Sequence, residues 1–213
     1  ATVEASPGQA ALTLSVDDAR SLSGLVKVLK QPEGLPLVAP PDGLLAQMRP
    51  YQQQGLSWMQ LLRQHHLGGI LADDMGLGKT LQTIAHLLLE KQSGRLNAPA
   101  LIVAPTSLVG NWRSELARFA PALSVLVLHG QDRHGAFTSM GDHDVVITTY
   151  PLQLRDEEVL AGQAWSILVL DEAQAIKNAK TRVANIVLEL QAQQRLCLTG
   201  TPMENHLGEV WSL

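Results

Sequence analysis

Residues 70–80 read Ile-Leu-Ala-Asp-Asp-Met-Gly-Leu-Gly-Lys-Thr, a short apolar run that ends in a glycine turn and passes into an amphipathic helix. No other stretch limits the fold as strongly. A turn of this kind aims backbone N–H groups at one point, backed by the positive end of a helix dipole. Such a cradle suits the dense negative charge of a nucleotide's phosphates. Gly76 and Gly78 permit unusual backbone angles and let the main chain approach the phosphates closely. Lys79 is placed to reach the β- and γ-phosphates, and the Thr80 hydroxyl to sit on Mg²⁺, as the Gly-Lys-Thr ending of a P-loop implies.

The general P-loop pattern asks for a glycine at position 73, where this chain has Asp73. Context supplies what the pattern lacks. Leu67 to Ala72 reads as a buried strand, and Leu81, Ile84, Ala85 and Leu88 recur at helical spacing just after the turn. An ordinary strand-to-helix turn with a surface lysine is the plain alternative, but a cation at a helix start opposes the dipole. Upstream, Arg49-Pro50-Tyr51-Gln52 opens a helix with Pro50 as its first residue and Tyr51, Gly55, Trp58 and Leu62 on a core-facing stripe. The Gln52 amide can both donate and accept, which is what the N6/N7 edge of adenine requires, although a glutamine here could also be a solvated helix residue.

The rest of the chain alternates. Strands are expected at 100–104, 124–128, 144–148, 165–170 and 195–198, with helices at 109–119, 152–160 and 182–190. Runs of Val, Ile and Leu with little alternation, separated by helices, indicate a mostly parallel sheet covered on both faces, an α/β fold. Ligands of such sheets sit beyond the strand C-termini. Two more constellations meet that condition. Asp171-Glu172 follows the apolar run ending at Leu170, so Asp171 is placed to hold Mg²⁺ and Glu172 to polarise an attacking water; a helix N-cap is the plain alternative. Thr199-Gly200-Thr201 follows Leu198, and its hydroxyls could sense the γ-phosphate, although a plain turn explains the same residues.

Composition bounds the partners. The 213 residues, 46% of them hydrophobic, can bury a sizeable core in one or two domains. A net charge of −4 gives no global field for nucleic acid, so any such contact must be local. The single cysteine, Cys197, sits in an apolar run, excludes an internal disulfide and fits a reducing compartment, cytoplasm or nucleoid, or nucleus in a eukaryote. His129, His134 and His143 fit no zinc spacing. No membrane span or signal peptide is expected. Pro and Gly punctuation over 31–43 suggests a boundary near residue 44, dividing a helical and Pro-rich lead-in, 1–43, from a nucleotide-binding unit, 44–213. The missing Met and the apolar ending Val210-Trp211-Ser212-Leu213 suggest a piece of a longer protein.

Taken together these stretches resemble helicase superfamily two and, within it, the Swi/Snf-type ATPases, whose members move along double-stranded DNA. Leu71 to Gln82 looks like motif I, Asp171-Glu172-Ala173-Gln174 like motif II, Arg49-Pro50-Tyr51-Gln52 with Gly55 and Trp58 like the adenine-side motif. Ile102 to Trp112 is similar to motif Ia, Ile147 to Tyr150 to motif Ib, and Thr199 to Asn205 to motif III. Gln174 departs from the histidine common at that place. The resemblance implies the first RecA-like lobe of an ATP- and Mg²⁺-dependent motor, with Pro105, Thr106, Ser107, Thr148, Thr149 and Tyr150 meeting the phosphates of one DNA strand through hydroxyls and backbone N–H groups. It also implies a second lobe, carrying the arginines that stabilise the transition state, that this chain does not hold. Rival expectations are a strand-separating RNA or DNA helicase and a docking module that keeps the fold without catalysis.

Overall fold

A computed structural model describes residues 35–173 and 182–200. The expected helix within the lead-in, Gln174 and Thr201 lie outside them. Among the described residues six strands form one parallel sheet in the order β1-β6-β5-β2-β4-β3. In chain order the elements are α1 (Pro50–Gln64), β1 (Gly69–Leu71), α2 (Lys79–Gln92), β2 (Ala100–Ala104) and α3 (Val109–Phe119). Then come β3 (Val125–Val127), β4 (Val145–Thr149), α4 (Tyr150–Arg155), α5 (Glu157–Ala161), β5 (Trp165–Leu170), α6 (Arg182–Glu189) and β6 (Ala192–Leu198).

The two faces of the sheet carry separate cores, as the period-two geometry of a strand requires. Ala100, Ile102 and Ala104 of β2, with Ile167 and Val169 of β5, face α1, α2 and α3 through Met59, Ile84, Leu88 and Trp112. Leu101, Val103, Leu168 and Leu170 face the other way, toward Tyr150, Leu160 and Val187. All five residues of β2 are fully buried, which is why that strand reads as an unbroken apolar run. Cys197 of β6 is buried too, and burial pushes its thiol up to about 11.

Residues 35–48 form no helix or strand and run across the helical layer as a strap. Val38 N–H donates to Ser57 Oγ (2.8 Å), Gln53 Nε2 donates to Val38 O (3.0 Å), and Leu45 N–H donates to Phe119 O (2.8 Å).

Two expectations need correcting. The helix expected over 152–160 is two helices broken at Asp156, which is buried against Arg133 (Nε to Oδ2, 2.7 Å). Arg133 comes from a long 3-10 segment, Asp132–Asp142, that the aperiodic sequence does not announce. The stripe of Tyr51, Gly55 and Trp58 is only half-buried, because it lines a groove of about 730 Å³ shared with Leu37, Ile70 and Asp73. The buried face of α1 is centred instead on Gln52, Leu56, Met59 and Arg63.

Candidate nucleotide site

The parallel pairing sets Leu71 of β1 opposite Leu198 of β6, and Leu170 of β5 opposite Cys197. The segments that follow these strands therefore leave the sheet side by side: the glycine turn, the Asp171-Glu172 pair and Thr199-Gly200. Their proximity is visible at two points. Thr199 N–H donates to Leu71 O (3.1 Å), and the Lys79 charge acts on the Asp171 carboxyl.

In the turn, Gly76 (φ +84°) and Gly78 (φ +79°) both occupy the left-handed region that the sequence reserves for them. Gly78 is the N-cap of α2 and offers no side-chain cap, so the first-turn N–H groups of α2 are not claimed by a capping side chain. A Cβ on Gly78 would also strike the Gln52 amide nitrogen. Lys79 Nζ donates to Asp73 O (2.6 Å) and Asp74 O (3.2 Å), folding back over the turn, while Thr80 stands half-buried beside it.

Asp73, the residue in place of the expected glycine, has a task of its own. Its Oδ2 accepts from Gln82 Nε2 (3.0 Å), which pins the start of the turn to α2. Gln82 is fully buried and its Oε1 occupies the place a Cβ on Gly55 would need, so a side chain there must displace it. Gln52 bridges the two motifs: its Oε1 accepts from Arg49 N–H (2.8 Å) and its Nε2 donates to Leu77 O (3.1 Å). Tyr51 hydroxyl donates to the same carbonyl at 3.2 Å. Sequence alone places Tyr51 on a core stripe and, by resemblance, in the adenine-side motif, and gives Asp73 and Gln82 no individual role. Their partners lie 9 to 26 residues away, beyond the reach of local spacing.

Asp171 is buried (8% exposed) at the end of β5. Its Oδ2 accepts from Trp112 Nε1–H (2.8 Å), its Oδ1 from Glu172 N–H (2.9 Å), and its carbonyl oxygen from the Tyr150 hydroxyl (2.8 Å). Burial raises the Asp171 carboxyl above its usual range despite the Trp112 hydrogen bond and the Lys79 charge, which both pull it down. Glu172 has φ +50°, a left-handed backbone in a residue with a side chain. Each Asp171 oxygen accepts one described hydrogen bond and keeps a lone pair, so an acidic ligand aimed past the strand end suits a hard cation such as Mg²⁺.

Thr199 is buried (4% exposed), and a Cβ on the half-buried Gly200 would meet Met75 Cγ at 2.6 Å and Lys79 Nζ at 3.8 Å. A side chain at position 200 would therefore run into the glycine turn. The six residues expected at DNA are divided by the structure. Thr106 and Ser107 are exposed in a 3-10 turn after β2, with Pro105 half-buried before them. Thr148, Thr149 and Tyr150 are buried: Thr149 Oγ1 accepts from Leu152 N–H (3.4 Å) as the α4 cap, and Tyr150 is held by Asp171. Their hydroxyls point into the protein, because the last two strand residues of β4 and the first of α4 are packed inside the fold, and the expected hydroxyl contacts are corrected accordingly.

Known proteins resemble this chain in sequence and fold. The SNF2-related domain matches residues 51–213. YwqA of Bacillus subtilis (strain 168) is 43% identical over 203 residues, 94% of this chain and 22% of YwqA. The ISWI chromatin-remodeling complex ATPase ISW2 of Saccharomyces cerevisiae is 41% identical over 171 residues, 78% of this chain and 15% of its own length. The Sulfolobus solfataricus SWI2/SNF2 ATPase core in complex with dsDNA superposes with a TM-score of 0.77 at 43% identity, covering 83% of this chain and 36% of that one. The chain therefore spans about a fifth of YwqA. Its RecA-like sheet, its phosphate turn and the span of that match place the chain in the SNF2-related domain family.

Proposed function

We propose that this chain is the first ATP-binding lobe, residues 44–213, of a DNA-dependent ATPase that translocates on double-stranded DNA and remodels nucleoprotein. One observation carries the reading: the glycine turn with Lys79 and the Asp171-Glu172 pair leave β1 and β5, the two strands that flank β6, at the same C-terminal end of the sheet. The N–H groups of the turn and of the first turn of α2 cradle the phosphates, and Lys79 exchanges its carbonyl partners for phosphate oxygens. Gln52 and Tyr51 hold the far side of the turn through Leu77 and stand beside the adenine.

Thr80 and Asp171 hold Mg²⁺, which when bound neutralises phosphate charge. Glu172 accepts the proton of the attacking water on its carboxylate and aligns the oxygen for attack. Thr199, Gly200 and Thr201 report the state of the phosphates, since the space a side chain at Gly200 would fill is taken by Met75 and borders on Lys79. Thr106 and Ser107 meet DNA phosphates through exposed side chains, with Pro105 and the backbone near 148–150 flanking them. Support for duplex DNA comes from the Sulfolobus solfataricus relative, solved in complex with dsDNA. Nucleoid or nucleus is the matching location, and no helix among the described residues is long and apolar enough to cross a membrane.

The transition-state arginines belong to a second lobe, so this lobe alone hydrolyses ATP slowly, by a factor of roughly 10³ to 10⁵ below the intact motor. The test is the ATPase rate of the intact protein with blunt duplex DNA, single-stranded DNA, RNA and no nucleic acid. Duplex should accelerate it most. Equal rates in all four would remove the motor reading, and preference for single strands would favour a strand-separating helicase.

A further inference from the structure

We propose that Trp112 and Tyr150 are positioning residues that grip Asp171 from opposite faces of the sheet and tie its setting to the exposed turn that meets DNA and to the strand end that flanks it. Trp112 stands in the core shared by α1, α2 and α3, and Tyr150 in the core on the other face. Both reach the same residue. The indole N–H donates to carboxylate Oδ2 at 2.8 Å, and the phenol O–H donates to the main-chain carbonyl at 2.8 Å.

A buried indole or phenol needs some hydrogen-bond partner. Nothing in that need selects a single acidic residue for both. A carboxylate acceptor makes the Trp112 bond stronger than a neutral one and fixes which lone pairs of Asp171 remain for a cation. The Tyr150 bond holds the peptide that leads into Glu172, whose left-handed backbone (φ +50°) persists only while its neighbours are fixed.

The chain positions of the two grips give them a second meaning. Trp112 lies on α3, which starts directly after the exposed turn Thr106–Leu108. Tyr150 is the first residue of α4, directly after Thr149. A DNA strand that shifts either segment therefore moves a hydrogen-bond donor attached to Asp171, and duplex binding is converted into alignment of the carboxylate pair. This rests on the function proposed above.

The experiment uses the intact protein with Trp112→Phe and Tyr150→Phe; the second removes one oxygen and guards against a folding defect in the first. With saturating duplex, each variant should lose about 10-fold in kcat, the lower end for partners that orient metal ligands. The KM for ATP and the Kd for duplex should stay within about twofold of wild type, because neither residue contacts those ligands and the loss falls on the chemical step. Mn²⁺ affinity with a non-hydrolysable ATP analogue, read by electron paramagnetic resonance, should weaken in Trp112→Phe. Unchanged kcat and Mn²⁺ affinity in both variants, with a wild type that duplex accelerates, would overturn this inference alone. A fall in kcat matched by equal losses in KM, Kd and melting temperature would also overturn it, since general loosening would then suffice. A wild type indifferent to duplex would take down the proposed function as well.

Discussion

The two ends of the parallel sheet are both rich in buried polar groups and use them in opposite ways. At the end where the strands begin, Glu90 is fully buried and accepts from Arg63 Nε (3.0 Å), Arg95 Nη2 (2.5 Å) and Gln60 Nε2 (2.8 Å). His86 bridges Gln60 and Gln194 at 2.8 and 2.9 Å, and Arg63 reaches on to Ser166 O and Gln193. At the end where the strands finish, the turn bends into left-handed backbone, Lys79 settles for carbonyl oxygens, and Asp171 keeps spare lone pairs. The difference teaches where each kind of polar group belongs. A closed network fastens α1 and α2 to the sheet; an open one leaves donors and lone pairs unspent at the strand ends.

Substitutions at the two ends should therefore separate stability from turnover. Glu90→Ala leaves two arginines facing each other without their carboxylate and should cost about 5 kcal/mol, the upper end for a broken buried pair. Its denaturation midpoint should collapse, while kcat of whatever remains folded changes little. Lys79→Ala should do the reverse in the intact protein: a loss of about 10³ in kcat, as for one electrostatic donor at a reacting centre, with an unaltered melting curve. If Lys79→Ala melted early and Glu90→Ala did not, the contrast between the ends would be wrong.

Acid sharpens the same contrast. Burial drives the His86 imidazole from 6.5 down to about 4, outweighing the Gln194 hydrogen bond and the Glu90 charge, which raise it. The unfolded chain then binds the extra proton first, so stability present above pH 6.5 is lost as pH falls toward 4. The full loss is about 3 kcal/mol at 1.36 kcal/mol per unit. Glu90 works alongside: burial would raise its carboxyl, but the Arg95 and Gln60 hydrogen bonds hold it below the usual range. Urea titrations at pH 7 and pH 4.5 measure the loss, and a His86→Gln variant should flatten it. The smallest effect is expected at the phosphate end. Gly55→Ala must displace Gln82 from Asp73 and should cost about 1–3 kcal/mol. It should also raise the KM for ATP; an unchanged KM would show that the Asp73 anchor does not shape the turn.

What the sequence made legible follows from range. Ala100–Ala104, Val109–Phe119 and Trp165–Leu170 match their expected bounds because burial on both faces, or on one helical stripe, is written in consecutive residues. The placement of the glycine turn beside Asp171 and Thr199 was legible through the rule that ligands gather at strand C-termini. Interactions between distant residues were not. Arg133 and Asp156 break a helix across 23 positions, Arg63 and Glu90 meet across 27, and Trp112 reaches Asp171 across 59. Thr148 to Tyr150 misled for a related reason: a hydroxyl in a loop-like stretch does not reveal whether it faces outward until the strand before it is packed.

Cys197 occupies a strand clasped by β1 on one side and β5 on the other. Its raised thiol, beneath that cover, reacts with an alkylating reagent only when β6 peels away from its neighbours. The alkylation rate of this lone thiol is thus an intrinsic clock for sheet opening, readable by mass spectrometry without any added label.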